Sequence, residues 1–368
     1  MIEEGNAKIN IKEGIFYNPH MELCRDLSSL VVSTLPDQLP DQLRVCDGMS
    51  ATGVRGLRYV LENKNVENIT FVDMEEDAVN LTKENLKLNN LNFPVIKSDI
   101  NHFLYTGGEK FNFVEIDPFG SPVPFIRSAL FNLRASRTGF LSVTATDTAV
   151  LCGIQKKACR INYCANPLHN FFCHETGARI LIGHIARVAA PLKLGIIPIF
   201  TFSKRHYFKI ILKVEKSAEK AYRSIENLGF VSWCPNCFSI KTNPGPFLSK
   251  DCKCGSRIRW GGPLWLDKIF DNEIIEGMEV NNKNRNYKNK AKIYRILNII
   301  SEEADMPPFY YDLHKIFDKL QITPRKMDEI MENLTKKDYK ASRTHFNNKA
   351  IKTNADSSII FDILKDNI

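Results

Sequence analysis

Between Arg44 and about residue 213, short apolar runs alternate with amphipathic segments. Residues 43–46, 69–72, 95–97 and 111–116 have the length and composition of strands, while 54–62 and 77–88 have the spacing of helices. Strands separated by helical segments must be joined by crossovers, so the pattern predicts a mostly parallel sheet. Apolar runs at 139–144, 195–201 and 207–214 supply its remaining strands. The first half is therefore predicted to be an α/β layer structure.

Beyond residue 290 the period becomes helical. Ile293, Ile296, Leu297 and Ile300 recur at i, i+3, i+4, i+7, as do Leu313, Ile316, Phe317 and Leu320, and then Met327, Ile330, Met331 and Leu334. Pro307-Pro308 separates the first helix from the second, and Thr323-Pro324 reads as an N-cap with proline at the first helical position. A short, basic, strand-like stretch follows at 339–352. That order resembles a winged helix. The Asn- and Lys-rich residues 281–289 read as a linker ahead of it.

At 368 residues the chain is long enough for two domains. The expected division is 1–230 for an N-terminal extension with the α/β domain and 231–368 for a C-terminal α+β domain, containing a cysteine-bearing module at 232–262 and the winged-helix-like part at 288–355. With 43% hydrophobic and 25% charged residues the composition is that of a globular protein, which excludes a fibrous repeat or wholesale disorder. The acidic start and the lack of any apolar stretch approaching about 20 residues predict neither a signal peptide nor a membrane span. Ten cysteines without a secretory signal fit a reducing compartment, so a cytoplasmic protein is expected, with no obligate protein partner evident. Charge adds one fact: of a net +8, residues 281–353 hold sixteen Lys and Arg against nine Asp and Glu. Such a segment fits a nucleic-acid partner; a helical packing domain with a solvated basic face is the alternative.

The chemistry sits in the first half. Residues 44–56 run from a strand carrying Asp47, through a loop of small residues, into a helix, so a cofactor can lie against the backbone. Asp73 ends the next strand, 26 positions after Asp47, where a carboxylate can accept from both ribose hydroxyls of a nucleoside cofactor. Asp99 ends a third strand and could accept from an adenine amino group. Each acid alone could be a helix cap or turn residue; together with the glycine loop they form a pattern.

The fourth strand delivers Asp117-Pro118-Phe119-Gly120-Ser121-Pro122. An amine on a planar ring is a poor nucleophile because the ring conjugates its lone pair. Acceptors that hold its hydrogens favour a more tetrahedral nitrogen, and the Asp117 carboxylate and Pro118 carbonyl are two such acceptors. Phe119 offers a face for stacking and Gly120 lets the backbone approach a ring. An ordinary Asp-Pro turn is the plain alternative.

Cys234-Pro235-Asn236-Cys237 and Cys252-Lys253-Cys254 form two close pairs, which read as four thiolate ligands of a structural zinc. The second pair is Cys-x-Cys, a departure from the usual spacing. Cys152, Cys159, Cys164 and Cys173 lie near His169 and His174, but at irregular spacings that read as packing or loop residues. Cys24 and Cys46 read as packing residues as well.

This set resembles S-adenosylmethionine-dependent methyltransferases acting on exocyclic amines. Phe16-Tyr17-Asn18-Pro19, Cys24-Arg25-Asp26-Leu27-Ser28, Ser50-Ala51-Thr52-Gly53-Val54-Arg55-Gly56, Asp117-Pro118-Phe119-Gly120-Ser121-Pro122, Val143-Thr144-Ala145-Thr146-Asp147 and Ser342-Arg343-Thr344-His345-Phe346 occur in the order of the tRNA (guanine-26) N2-dimethyltransferase family. The resemblance runs from near residue 5 to near 355 and implies a Rossmann-like methyltransferase domain followed by a family-specific C-terminal domain. It also implies that Arg25, Arg55, Asp73, Asp99 and Ile100 contact S-adenosylmethionine and that Asp117 and Pro118 hold the guanine amino group. Where the family usually reads Asn-Arg-Asp this chain has Cys24-Arg25-Asp26, which leaves the arginine in place. Asp47 joins the expected cofactor contacts, and Phe16 and Phe119 are the candidates for sandwiching the base. The expected function is dimethylation of N2 of guanosine 26 in tRNA. A methyltransferase acting on another guanine amine, and a catalytically inactive RNA-binding module, are the competing readings.

Overall fold

The computed structural model describes residues 1–35, 42–204, 206–246 and 249–365. A small antiparallel hairpin, β1 (Ile2–Glu4) and β2 (Ala7–Ile9), opens the chain and is followed by helix α1 (Glu22–Thr34). Alternation then sets in: β3 (Leu43–Gly48), α2 (Val54–Glu62), β4 (Val66–Asp73), α3 (Glu76–Leu88), β5 (Val95–Lys97), α4 (Ile100–Thr106), β6 (Phe113–Ile116), α5 (Val123–Leu133) and β7 (Thr138–Ala145). Three helices, α6 (Thr148–Leu151), α7 (Lys156–Tyr163) and α8 (Cys173–Ala189), lead to the paired strands β8 (Leu194–Lys204) and β9 (Tyr207–Lys216) and to α9 (Ala218–Glu226).

The seven strands β3 to β9 form one sheet in the order β5-β4-β3-β6-β7-β9-β8. The first five are parallel, as the alternating pattern requires; β9 runs antiparallel to both β7 and β8, and only two residues of sequence separate it from β8. Central strands such as β6 and β7 are buried along almost their whole length, with helices on both faces. Pro198 sits on the edge strand β8 at a register shift, where its missing N–H removes no needed ladder bond. Strand order reverses between β3 and β6, since the chain builds outward from β3 to β5 before returning to β6. The carboxyl ends of these two neighbours therefore flank the crevice in which doubly wound sheets bind ligands.

The remainder begins with a three-stranded antiparallel sheet, β10 (Leu228–Trp233), β11 (Ile240–Asn243) and β12 (Arg259–Trp265), which carries the four paired cysteines in its loops. Helices α10 (Asn272–Lys283) and α11 (Lys290–Glu303), β13 (Tyr311–Asp312), α12 (Leu313–Leu320), α13 (Met327–Lys336), β14 (Ala341–Arg343), β15 (Ala350–Thr353) and α14 (Ser357–Lys365) complete the chain. The three periodic segments are α11, α12 and α13, and β13, β15 and β14 form the small sheet of a winged-helix arrangement. No helix among the described residues is long and apolar enough to cross a membrane.

Two local readings are corrected. The third helix starts at Met327, with Lys326 as its cap, so Thr323-Pro324 lies in the connection before it. Residues 281–289 are no free linker: α10 extends into them, and their side chains are fastened to the first half. Asn281 donates to Ser33 Oγ at 2.8 Å, Tyr287 to Glu62 Oε2 at 2.6 Å and Asn289 to Asp26 Oδ2 at 2.9 Å, while Arg285 reaches Asn63 Oδ1 at 2.5 Å. Asparagine-rich composition signalled polarity, and here the polar groups are spent on partners.

Buried ions join the halves at a second place. Lys352 on β15, 1% exposed, lies 2.9 Å from Glu175 on α8 and 3.5 Å from Glu303 on α11. Glu175 also pairs with Arg179 at 2.9 Å, and Glu303 with His345. Burial alone would raise the Glu303 carboxyl, yet the charges of His345 and Lys352 outweigh it and hold it down at about 2.

Candidate active site at the carboxyl ends of β3 and β6

The loop leaving β3 follows a path that small residues permit. Met49, Ala51 and Gly53 have φ of 61°, 49° and 74°. At Gly53 an added Cβ would lie 2.9 Å from Thr82, and at Gly56 it would lie 2.5 Å from the Phe71 ring and 2.7 Å from Asp47 Oδ2. Helix α2 thus rests directly on β3 and β4, close enough for the Gly56 N–H to donate to Asp47 Oδ2 at 2.9 Å. Burial first, and then the charge of Glu115, push the Asp47 carboxyl up to about 7.

Asp73 steadies the same loop, accepting from the Ala51 N–H at 2.8 Å and from the Glu75 N–H at 3.0 Å. Asp99 is the N-cap of α4 and accepts from the His102 N–H at 2.9 Å, while Ile100 behind it is buried. These acids are caps and turn holders as well as strand ends. A carboxylate has more acceptor sites than these bonds use, so the local roles leave room for others.

Asp117 follows β6 and is paired with Arg55 from the first turn of α2. Arg55 is 6% exposed, stands 3.8 Å from Glu115 and donates to Ser28 Oγ at 3.2 Å. Burial works to raise the Asp117 carboxyl, but the positive charges of Arg55 and Lys209 prevail and keep it below the usual range. It is therefore ionised at neutral pH. One edge stays open, with 27% of the side chain exposed. Arg25 on α1 is engaged by Glu4 at 2.6 Å and by the Asn18 carbonyl at 3.1 Å, so the opening hairpin sets its position.

One cleft is lined by Phe16, Arg25, Asp47, Arg55 and Asp117, together with Met49 to Thr52 of the loop. Asp73, Asp99, Ile100, Pro118 and Phe119 lie outside that lining. Phe16 and Phe119 touch edge to face, with centroids 4.5 Å apart and planes at 78°. Both rings are solvent-exposed, at 49% and 76%, so Phe16 is not a core residue.

Sequence reading missed what lies beneath and beside the site. Glu115 accepts from the Tyr59 hydroxyl at 2.8 Å and pairs with Lys209, and both charges are fully buried. Charged residues inside apolar strands were the available signal. Beside the site, the Gly120 N–H donates to Thr146 Oγ1 at 2.7 Å, and the Ser121 and Tyr163 hydroxyls meet at 2.8 Å. The Tyr163 hydroxyl also lies 2.8 Å from Asp147, so α7 braces the Asp117–Ser121 loop.

The four paired cysteines converge. All four sulfurs lie within 4.8 Å of one another, with Cys234–Cys254 and Cys237–Cys252 each 3.5 Å apart. The Cys237 N–H points to Cys234 Sγ at 3.5 Å, as in a thiolate knuckle.

Residues 1–365 match the family model described as N2,N2-dimethylguanosine tRNA methyltransferase. The chain is 37% identical over 376 residues to the tRNA (guanine(26)-N(2))-dimethyltransferase of Methanobrevibacter smithii, covering 99% of this chain and 96% of that protein. It is 36% identical over 371 residues to the tRNA (guanine(26)-N(2)/guanine(27)-N(2))-dimethyltransferase of Aquifex aeolicus, covering 96% and 93%. A solved structure of Trm1 from Pyrococcus horikoshii with S-adenosyl-L-methionine superposes with a TM-score of 0.88 at 34% identity, covering 98% of each chain.

Proposed function

This chain belongs to the N2,N2-dimethylguanosine tRNA methyltransferase family, and we propose that it transfers two methyl groups in turn from S-adenosylmethionine to N2 of guanosine 26 in tRNA. One observation carries the reading: an ionised, partly open Asp117 shares a single cleft with two buried arginines and the aromatic Phe16.

S-adenosylmethionine, when bound, supplies a sulfonium methyl already activated for displacement, so no covalent enzyme nucleophile is required. The chain's own residues orient the acceptor. Asp117 and the Pro118 carbonyl accept hydrogens of the N2 amine, which draws its lone pair out of conjugation. Asp117 takes the released proton and passes it to water along its open edge. Phe16 and Phe119 part to admit the base between them and exclude water from its faces.

Arg25 and Arg55 suit the methionine carboxylate, with Asp47 beside them; Asp73 suits the ribose hydroxyls through its unused lone pairs, and Asp99 with Ile100 the adenine. Residues 231–368 hold tRNA, with the module at 232–262 and the winged-helix-like part at 288–355 making phosphate contacts through the basic excess. Cys234, Cys237, Cys252 and Cys254 fit a structural zinc: sulfurs 3.5 Å apart approach the edge of about 3.8 Å expected for Zn–S bonds of about 2.3 Å. With four sulfurs as ligands such a metal folds the module and leaves no position for water. The enzyme is placed in the cytoplasm, where its cysteines stay reduced.

The test is nucleoside mass spectrometry of an unmodified tRNA transcript after reaction, with the product mapped along the chain. Monomethyl- and then dimethylguanosine at position 26 are expected, and almost none with Asp117→Ala while tRNA binding persists. Product at another guanosine would favour the competing enzyme reading. Binding without any product from the native chain would favour the inactive module.

A further inference from the structure

A second cluster of soft ligands lies outside the cleft and outside the cysteine module. Cys152 caps the carboxyl end of α6 and is buried; Cys173 and His174 are the first two residues of α8 and are half-buried. Their ligand atoms all lie within 4.8 Å of one another. Cys152 Sγ stands 3.8 Å from His174 Nδ1. A tetrahedral metal with Zn–S of about 2.3 Å and Zn–N of about 2.0–2.1 Å sets that edge near 3.6 Å, within a few tenths of an ångström of the distance found.

We infer that Cys152, Cys173 and His174 form a second metal site, which takes a zinc-class divalent cation through two sulfurs and one imidazole nitrogen. Water completes the tetrahedron, because among the described residues only three ligands converge. His169 supports the corner: its Nδ1 lies 3.3 Å from the Cys152 carbonyl oxygen, tying the connecting loop to the α6 cap.

The placement gives the site a task. The segment between the two cysteines contains α7, whose Tyr163 braces Ser121 and Asp147 beside the Asp117 loop. A metal joining Cys152 to Cys173 closes the base of that segment and holds the brace in register. This link to catalysis rests on the methyltransferase reading above; the metal site itself does not.

The experiment loads the full-length, reduced protein with cadmium-113 and records its NMR spectrum. Two resonances are expected: one at low field from four thiolates and one at higher field from a mixed sulfur–nitrogen set. Cys173→Ser and His174→Gln each remove only the second and lower the bound cadmium from two equivalents to one, whereas Cys252→Ser removes only the first. A native spectrum with no mixed-ligand resonance overturns the inference, and needs no variant to fold. A mixed-ligand resonance without the four-thiolate one supports it while sinking the zinc reading of the cysteine module.

Discussion

Arg55 closes on Asp117, so a cation suited to a cofactor carboxylate and the acid suited to the target amine are already joined. Glu115 stands 3.8 Å behind the same guanidinium, with Lys209 and Tyr59 filling its other side. Two carboxylates and two cations therefore share a small volume, in which the charges of Arg55 and Lys209 keep Asp117 ionised. A cofactor carboxylate arriving at Arg55 would compete with Asp117 for it and free acceptor capacity for the amine.

Arg55→Met follows from that arrangement. Burial then acts on Asp117 with only Lys209 and a hydrogen bond from Thr144 opposing it, and the carboxyl rises. The acid limb of the kcat/KM profile is expected to move to higher pH, with kcat/KM at pH 7 lower by about 100-fold or more. Arg55→Lys is expected to return the limb towards its native position. An unshifted limb in Arg55→Met would separate this pair from catalysis.

Tyr163→Phe removes the hydroxyl shared by Ser121 and Asp147. The loop carrying Asp117 then loses its lateral brace, and kcat is expected to fall about 10- to 100-fold with the KM for S-adenosylmethionine unchanged. Steady-state kinetics at saturating tRNA reads the split. A change in KM alone would place Tyr163 with the cofactor.

Glu303→Gln tests the buried ions that join the halves. The native carboxyl titrates at about 2, against an ordinary value of 4.5. A depressed acid contributes stability that is full above 4.5 and is lost as pH falls from there towards 2. The variant is expected to lose about 3 kcal/mol at neutral pH and to show a flatter stability curve below pH 4.5. Urea unfolding at several pH values measures both.

Chelation or Cys252→Ser should loosen the cysteine module. Asn236 of its first loop accepts from Lys319 on α12 at 3.0 Å, and Phe238 packs on Phe361 of α14. Melting is expected to drop by about 5–10 °C, and tRNA binding to weaken, while cofactor affinity holds. Calorimetry with and without chelator gives the first number, and filter binding the second.

The sequence was most informative where chemistry is local. Helix α2 and strand β5 match the reading to the residue, because each depends on a period and on its flanking turn residues. Asp117, which lines the cleft, was legible as a candidate because a charged turn after a fourth apolar run is itself a short-range signal. The partners that tune it were not. Lys209 meets Glu115 across 94 residues and from a strand that is not its neighbour, an adjacency that no spacing encodes. Residues 281–289 misled for the opposite reason, since composition reports what groups are present and not what they bind.

Glu62 gathers four separate parts of the chain onto one carboxylate: the Asn6 N–H at 3.1 Å, Ser29 at 2.5 Å, Arg58 at 2.8 Å and Tyr287 at 2.6 Å. A fragment ending at residue 230 would keep its sheet yet strip this hub of its phenol and leave Asp26 without Asn289. Cutting the chain there would therefore injure the first part at a knot lying next to α1, the helix that carries Arg25.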